Sequence, residues 1–131
     1  MKTFFKLIFI SIFLFSVSIS AQKTTWLTAD LKETNQSSSV YYSVTSDDEK
    51  EVNYFYSSGN IYRKLKYSNR KLVGNFFEFY ETGELRRNGK YENGLEEGSW
   101  KTYYKNGKIK EKGRYKKGEK IGIWKAFYKN F

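Results

Sequence analysis

The sequence predicts an all-β protein, built as one antiparallel meander of tandem β-hairpins in an open or curled single sheet. Three observations predict it: a 24-residue unit written twice in residues 74–121, a content of 12 Tyr and 11 Phe, and the absence of proline. Aromatic side chains pack well on a pleated surface, and proline would interrupt the ladder of hydrogen bonds. A fixed period indicates that each unit buries its apolar face only against its neighbours.

The repeated unit matches at nine positions with one constant offset. The first copy contains Gly74, Phe76, Phe79, Tyr80, Gly83, Leu85, Gly89, Tyr91 and Gly94. The second copy contains Gly98, Trp100, Tyr103, Tyr104, Gly107, Ile109, Gly113, Tyr115 and Gly118. A third copy begins with Gly122, Trp124, Phe127 and Tyr128, and a weaker copy precedes the first in residues 52–67. Roughly three and a half units therefore fill residues 50–131.

Each unit carries two tight turns. Asn106-Gly107 lies between two apolar runs and predicts a two-residue type I′ hairpin loop, in which both central residues need φ > 0. Ser58-Gly59 and Thr82-Gly83 occupy the equivalent positions, and the second turn carries Asn93-Gly94 or Lys117-Gly118. The pattern predicts roughly seven or eight strands in residues 50–131.

The predicted loops set the pairing register. A two-residue loop at residues 106 and 107 places Tyr104 opposite Ile109 and Trp100 opposite Gly113, where the ring covers the bare glycine backbone. Two-residue second turns likewise place each leading glycine beside the glycine nine residues before it, as in residues 98 and 89. A row of glycines is thus expected beneath the rings.

This register predicts two different faces. The aromatic face is expected to hold Phe76, Tyr80, Leu85, Tyr91, Trp100, Tyr104, Ile109, Tyr115, Trp124 and Tyr128. The opposite face is expected to hold Phe79, Tyr103 and Phe127 among Arg86, Lys90, Lys101, Lys110, Lys112, Arg114 and Lys125. The aromatic row is interpreted as core, covered by the curl of the sheet or by the segment before the repeats. The basic face is either a solubilising surface or an attractive patch for anions.

The chain divides into three regions. Residues 1–21 resemble a secretory signal peptide, with Lys2 and Lys6 before an apolar run and small residues up to Ala21; an uncleaved membrane anchor is the alternative. Residues 22–49 form a lead-in, partly disordered or capping, in which 40–44 favour a strand and 22–38 are expected to be loosely ordered or to lie across the first repeat. Residues 50–131 form the repeat domain.

Charge is uneven along the chain. Residues 22–49 hold two Lys against five acidic residues, whereas residues 50–131 hold 20 Lys or Arg against nine Glu. A strongly basic repeat region favours anionic partners, and any such binding should weaken as salt rises.

Catalytic chemistry has few candidates in this sequence. The chain has no histidine and no cysteine, which removes most nucleophile–base pairs, most transition-metal sites and all disulfides. Glu78, Glu81 and Glu84 lie close in sequence, yet each falls at a turn or opposite a basic residue such as Arg87. We therefore expect no catalytic residue, metal site, cofactor or small-molecule substrate.

The string GxWxxYYxNGxIxxxGxYxxGxxxG, from Gly98 to Gly122, resembles the MORN-type repeat, in the variant found in bacterial YwqK-like antitoxin proteins. The resemblance covers about residues 50–131, with a divergent first unit in which Val52 stands at the Trp position. It implies an array of β-hairpins, and the repeat positions it marks are structural. These are Gly74, Phe76, Tyr80, Gly83, Gly89, Gly94, Gly98, Trp100, Tyr104, Gly107, Gly113, Gly118, Gly122, Trp124 and Tyr128.

The resulting hypothesis is a non-enzymatic, exported repeat module that binds a protein or an anionic surface at the cell envelope, periplasmic, envelope-associated or secreted. The candidate binding residues are basic or aromatic: Phe79, Lys101, Tyr103, Lys110, Lys112, Arg114, Lys125 and Phe127. The alternatives are an antitoxin component and a small outer-membrane β-barrel. Nucleic acid is not favoured for an exported chain, and the last strand, residues 123–128, is a candidate edge for a homo-oligomer.

Overall fold

The structure is a computed structural model that describes residues 22–128. The predicted signal peptide, residues 1–21, and residues 129–131 lie outside the described range. Within it the chain forms one short 3₁₀ helix, Gln36–Ser38, and a series of strands. The strands are β1 (Lys23–Leu27), β2 (Tyr41–Thr45), β3 (Glu51–Tyr56), β4 (Ile61–Ser68), β5 (Lys71–Leu72), β6 (Gly74–Phe79), β7 (Leu85–Glu92), β8 (Leu95–Tyr103), β9 (Ile109–Lys116) and β10 (Glu119–Ala126).

All these strands belong to one antiparallel sheet of 10 strands, in the order β1-β2-β3-β4-β6-β7-β8-β9-β10, with β5 paired to β4 beside this path. The all-β meander is confirmed, and so is the expected number of strands after residue 50. Because β1 and β10 stand at opposite ends of the order, the sheet is open. The alternative hypothesis of a closed small barrel is therefore wrong.

The lead-in contributes strands to the same sheet. The strand expected at residues 40–44 is confirmed as β2, and β1 pairs with it as an edge strand instead of lying loosely or across the first repeat. Leu27 in β1 is buried. The outer edge of β1 is partly covered by its own following loop, since the Thr34 amide donates to the Trp26 carbonyl at 2.9 Å. At the other end β10 pairs only with β9 within the described range, so association of two copies through this edge stays a prediction.

The two turns of each repeat differ in kind. Asn93-Gly94 has φ of 50° and 85°, and Lys117-Gly118 has 49° and 82°, so both are two-residue turns with two left-handed residues. In the Asn106-Gly107 loop, Gly107 has a positive φ of 79° and Asn106 does not have a positive φ. The Gly107 amide donates to the Tyr104 carbonyl at 2.9 Å. The predicted type I′ turn is wrong there, because the loop is longer and ends in a glycine bulge.

This bulge shifts the register by one residue at each hairpin end. Ile109 pairs with Tyr103 and not with Tyr104, and Leu85 pairs with Phe79. Paired residues share a face, so Leu85 and Ile109 lie on the face opposite to the one predicted.

The extra residue of each bulge projects toward the aromatic face. Arg86 Nε lies 3.4 Å from Glu78 Oε1, and Lys110 Nζ lies 5.8 Å from the centre of the Tyr104 ring. The prediction that Arg86 and Lys110 belong to the basic face is therefore wrong, because the bulge turns both side chains over.

The register around the repeat glycines is also partly different. Trp100 pairs with Gly113 as predicted, but Gly89 does not pair with Gly98, because residues 98–100 together stand opposite Gly89. Gly98 is a bulge residue with φ of 72°. A Cβ atom at Gly89 would overlap the indole of Trp100, and one at Gly113 would overlap the indole of Trp124. Each indole therefore covers the glycine of the preceding strand, so the prediction that the Trp100 ring covers Gly113 is wrong. The predicted row of glycines is also wrong, because Gly98 does not stand beside Gly89.

The core of the sheet is its aromatic face. Ring centres of Phe76 and Trp100 are 5.4 Å apart, those of Trp100 and Tyr115 5.7 Å, and those of Tyr115 and Trp124 4.9 Å. Phe76 and Trp100 are buried, with 4% and 1% of their surfaces exposed. Extensive contacts join only strands that are neighbours in the sheet. The row is thus a single-layer core, buried at its centre and more open at Trp124.

Tyrosine hydroxyls tie successive hairpins together. Three of them donate to a backbone carbonyl 23 residues later, at 2.8 to 2.9 Å. The donor and acceptor pairs are Tyr56 and Phe79, Tyr80 and Tyr103, and Tyr104 and Phe127. Tyr80 and Tyr104 were predicted to belong to the aromatic face, but these hydrogen bonds were not predicted. The feature of the sequence that could have indicated these hydrogen bonds is a tyrosine that directly precedes each glycine-containing loop or lies two residues before its Ser, Thr or Asn.

The Tyr56 phenol predicts a loss of stability in alkali. Burial, followed by the nearby Tyr41 and Tyr62, raises the pKa of Tyr56 from 10.0 to about 12. The unfolded chain then releases this proton first, so the stabilisation is complete below pH 10 and is lost as pH rises toward 12. Urea denaturation at a series of pH values should show Tyr56→Phe to be less sensitive than the wild type over this window. Identical pH profiles would contradict the assignment.

Candidate functional site

The lysine face is the side of the sheet opposite the aromatic row, and its centre is a cross-strand row of three lysines. Lys101 in β8 pairs in register with Lys112 in β9, and Lys112 pairs with Lys125 in β10. Arg114 lies on the same face, two residues beyond Lys112. Since neighbouring strands are about 4.8 Å apart, the three lysine side chains leave the sheet from adjacent positions.

These four cations form no ion pair with the carboxylates of residues 22–128. Within residues 22–128 none of them lies within 4.0 Å of an acidic oxygen, whereas Lys66, Lys90 and Lys120 elsewhere in the sheet do. Like charges directly opposite one another destabilise a sheet. The face therefore holds a concentrated positive charge that the described part of the chain leaves uncompensated.

Exposed apolar side chains border the row of lysines. Ile123 is 82% exposed and lines a shallow depression with Lys112, Arg114 and Lys125. Phe127 is exposed as well, and Lys112 Nζ lies 5.4 Å from the centre of its ring. Cations interleaved with exposed apolar groups suit an interface between water and a negatively charged surface.

The structure divides the predicted binding residues into two groups. Lys101, Lys112, Arg114 and Lys125 come together on the lysine face, with Phe127 at its border. Phe79 and Tyr103 belong to the same face by their pairing with Leu85 and Ile109, but they are half-buried at the hairpin ends. Lys110 is separated from the four cations, because its side chain lies on the aromatic face, where it lines a depression with Tyr104 and Phe127.

An aromatic cluster that was not predicted lies at the other end of the lysine face. Trp26 and Tyr42 have ring centres 5.4 Å apart, and the Phe55 ring stacks on Tyr42 at 4.9 Å. These residues are register partners across β1, β2 and β3. The strand predicted at residues 40–44 could have indicated this cluster, because side chains alternate along a strand and Tyr42 therefore lies on the other face from Tyr41. The lysine face thus runs from an aromatic end to a cationic end.

The aromatic face carries a buried ion pair. Glu78 is 6% exposed, its Oε2 accepts from Arg63 Nε at 2.7 Å, and its Oε1 lies 3.4 Å from Arg86 Nε. The sequence placed Glu78 opposite Arg87, and that register is confirmed, but the carboxylate is bound by the other two arginines. Two cations satisfy this buried carboxylate, which gives it a structural role.

The described residues offer little else for chemistry. Residues 22–128 hold no group of three or more acidic, histidine or cysteine side chains placed to bind a metal ion. No helix in that range has both the length and the apolar character needed to cross a bilayer.

Comparison with protein families identifies the two central units. The model of the MORN repeat variant matches residues 72–93 and again residues 96–117, which are the units that contain β6–β7 and β8–β9. A search of the curated proteins finds no match. The matched segments coincide with the two copies of the 24-residue unit, and each forms one β-hairpin of the sheet. The two central hairpins of this sheet are therefore similar to the MORN repeat variant, in two tandem copies.

Proposed function

We propose that this chain is a non-enzymatic, exported binding module that attaches to an anionic surface at the cell envelope through the lysine face. The observation that carries the proposal is the row of Lys101, Lys112 and Lys125, which face one another directly without a carboxylate within 4.0 Å in residues 22–128. Mutual repulsion makes this row unfavourable in the free protein. A bound layer of phosphate or carboxylate groups removes that repulsion.

The residues at the border of the lysine face favour an extended anionic surface, and not a single small anion, as the binding partner. Ile123 and Phe127 stand beside the cations and can enter the boundary of a lipid layer while the ammonium groups bind its headgroups. Each basic residue near an anionic membrane contributes about 1 kcal/mol of attraction, which falls off within a Debye length. Binding through this face is therefore strong at low salt and weak at high salt.

Replacing Lys101, Lys112 and Lys125 together with glutamine should weaken binding to vesicles of anionic lipid by about 100-fold at low salt, since three contributions of about 1 kcal/mol are lost. Cosedimentation with vesicles of phosphatidylglycerol and phosphatidylcholine measures this. The melting temperature should not fall, because the variant relieves like-charge repulsion.

A matched control changes the same net charge elsewhere. Lys105, Lys108 and Lys117 are exposed lysines at the turns, and glutamine at all three should change vesicle affinity much less. Equal losses in the two triple variants would show that only net charge matters. Unchanged affinity in the lysine-face variant would remove this face and favour a protein partner.

Export rests on the signal-like residues 1–21, and cell fractionation tests it. A mature chain that begins near Gln22 outside the cytoplasm supports the proposal. A full-length chain in the cytoplasm would contradict it and favour the antitoxin alternative.

A further inference from the structure

Equivalent positions of neighbouring repeats differ in one charged group on the aromatic face. Glu78 and Thr102 are 24 residues apart and occupy the same place in their units. Glu78 is enclosed by Arg63 on one side and Arg86 on the other. At Thr102 a shorter neutral side chain stands where the preceding repeat has a carboxylate.

Arg87 stands between Glu78 and Thr102 in the sheet, and within residues 22–128 neither neighbour provides it with an ion pair. Arg87 pairs in register with Thr102, and within residues 22–128 no acidic oxygen lies within 4.0 Å of its guanidinium. Its guanidinium carbon lies 4.4 Å from the centre of the Trp100 ring. Stacking on this buried indole fixes the plane of the guanidinium, and only part of Arg87 is buried.

Two indole N–H groups beside this site lack an acceptor within residues 22–128, those of Trp100 and Trp124. Trp100 is 1% exposed, and within the described range its Nε1 has no hydrogen-bond partner. Buried donors in proteins are nearly always paired, so an orphan of this kind needs an explanation. Trp100, Arg87 and Thr102 line one depression of the aromatic face, together with Glu111 and Lys120.

We propose that this depression is a binding site for a carboxylate group. The carboxylate occupies the place beside Thr102 that corresponds to the Glu78 side chain one repeat earlier. It accepts hydrogen bonds from the Arg87 guanidinium, whose planar fork matches the two carboxylate oxygens, and from the Thr102 hydroxyl. The ligand is the side chain of an acidic peptide or a free small carboxylate.

Two neighbouring carboxylates oppose the ligand, and both line the depression. Glu78, which pairs in register with Arg87, is neutralised by Arg63 and Arg86. Glu111 pairs in register with Thr102 on the side away from Arg87. Its charge is offset by Lys120, whose Nζ lies 3.5 Å from Glu111 Oε1. Removal of the Glu111 charge should therefore tighten binding.

Binding is measured by NMR of the Trp100 indole N–H, with acetyl-Gly-Glu-Gly-amide as the peptide probe and acetate as the free carboxylate. The glutamate peptide should shift this resonance, and its glutamine counterpart should not. Arg87→Gln should weaken binding about tenfold, in line with the loss of a charge-assisted hydrogen bond. Lys90→Gln is the matched control, because Lys90 lies outside this depression, and it should leave binding close to the wild type. Acetate as strong as the peptide identifies a free carboxylate as the ligand.

A built-in carboxylate provides a second test that needs no ligand. Thr102→Glu should melt at a higher temperature than Thr102→Gln, and the difference should disappear when Arg87 is also glutamine. Glu111→Gln should bind the glutamate peptide about threefold more tightly. The proposal is overturned if neither probe shifts the indole, if inorganic phosphate binds as tightly as the carboxylates, or if Thr102→Glu and Thr102→Gln melt alike.

Discussion

Replacement of Trp100 with alanine should lower the free energy of unfolding by about 4 kcal/mol, the range for truncation of a large buried ring. Trp100 contacts Phe76, Tyr91 and Tyr115, and only 1% of its surface is exposed. A single-layer sheet has no second layer that could collapse into the space left behind. Urea denaturation followed by circular dichroism measures the change.

Trp124→Ala is the matched control. Trp124 occupies the equivalent place one repeat later, but it is only half-buried and has one aromatic neighbour, Tyr115. We expect a smaller loss of about 2 kcal/mol. If Trp100→Ala were as stable as the wild type, the aromatic row would be a functional surface and not the core.

Replacement of Gly89 with alanine should cost about 3 kcal/mol, at the upper end for overpacking, because the new methyl group would overlap the Trp100 ring. Gly89 lies within β7, and because it has no side chain, the Trp100 indole can pack directly on its backbone. The ring, held between Phe76 and Tyr115, has no room to move aside. Thermal and urea denaturation of the purified variant measure the loss.

The double variant isolates this contact. With Trp100 already alanine, the change Gly89→Ala should cost less than about 1 kcal/mol, since the methyl group then enters vacated space. Gly59→Ala serves as a second control: nothing lies within 4 Å of its Cβ position, and its φ of 91° predicts only backbone strain of about 1 kcal/mol. Additive losses at Gly89 and Trp100 would contradict the stacking.

Much of the fold could be predicted because the same pattern of turns and strands recurs in each repeat. A glycine-containing loop every 24 residues fixes the hairpins, and alternating aromatic residues place Phe76, Trp100 and Trp124 on one face. The turn type could not be predicted in the same way. Asn106-Gly107 fits a two-residue loop and a longer bulged loop equally well, since both need a left-handed glycine.

The same ambiguity decides how much of the candidate site was predicted. Lys101, Lys112 and Lys125 are register partners, and the bulges that precede Lys101 and Lys125 leave the alternation of side chains unchanged, so alternation placed all three correctly. Arg86 and Lys110 follow the bulged loops, where one extra residue reverses the direction of every side chain up to the next regular pair. Whether Arg87 forms an ion pair depends on which arginine side chains reach the Glu78 carboxylate. A pattern of residue types does not give the distances between these groups.

The one-layer architecture has a mechanical consequence. Each strand is held only by the two beside it, so a load applied across the sheet, at right angles to the strands, is borne by one ladder at a time. Such a sheet peels open from an end in small steps and does not resist as a block. The tyrosine hydroxyls form one hydrogen bond between each pair of successive hairpins, so the sheet is expected to open by one repeat at a time.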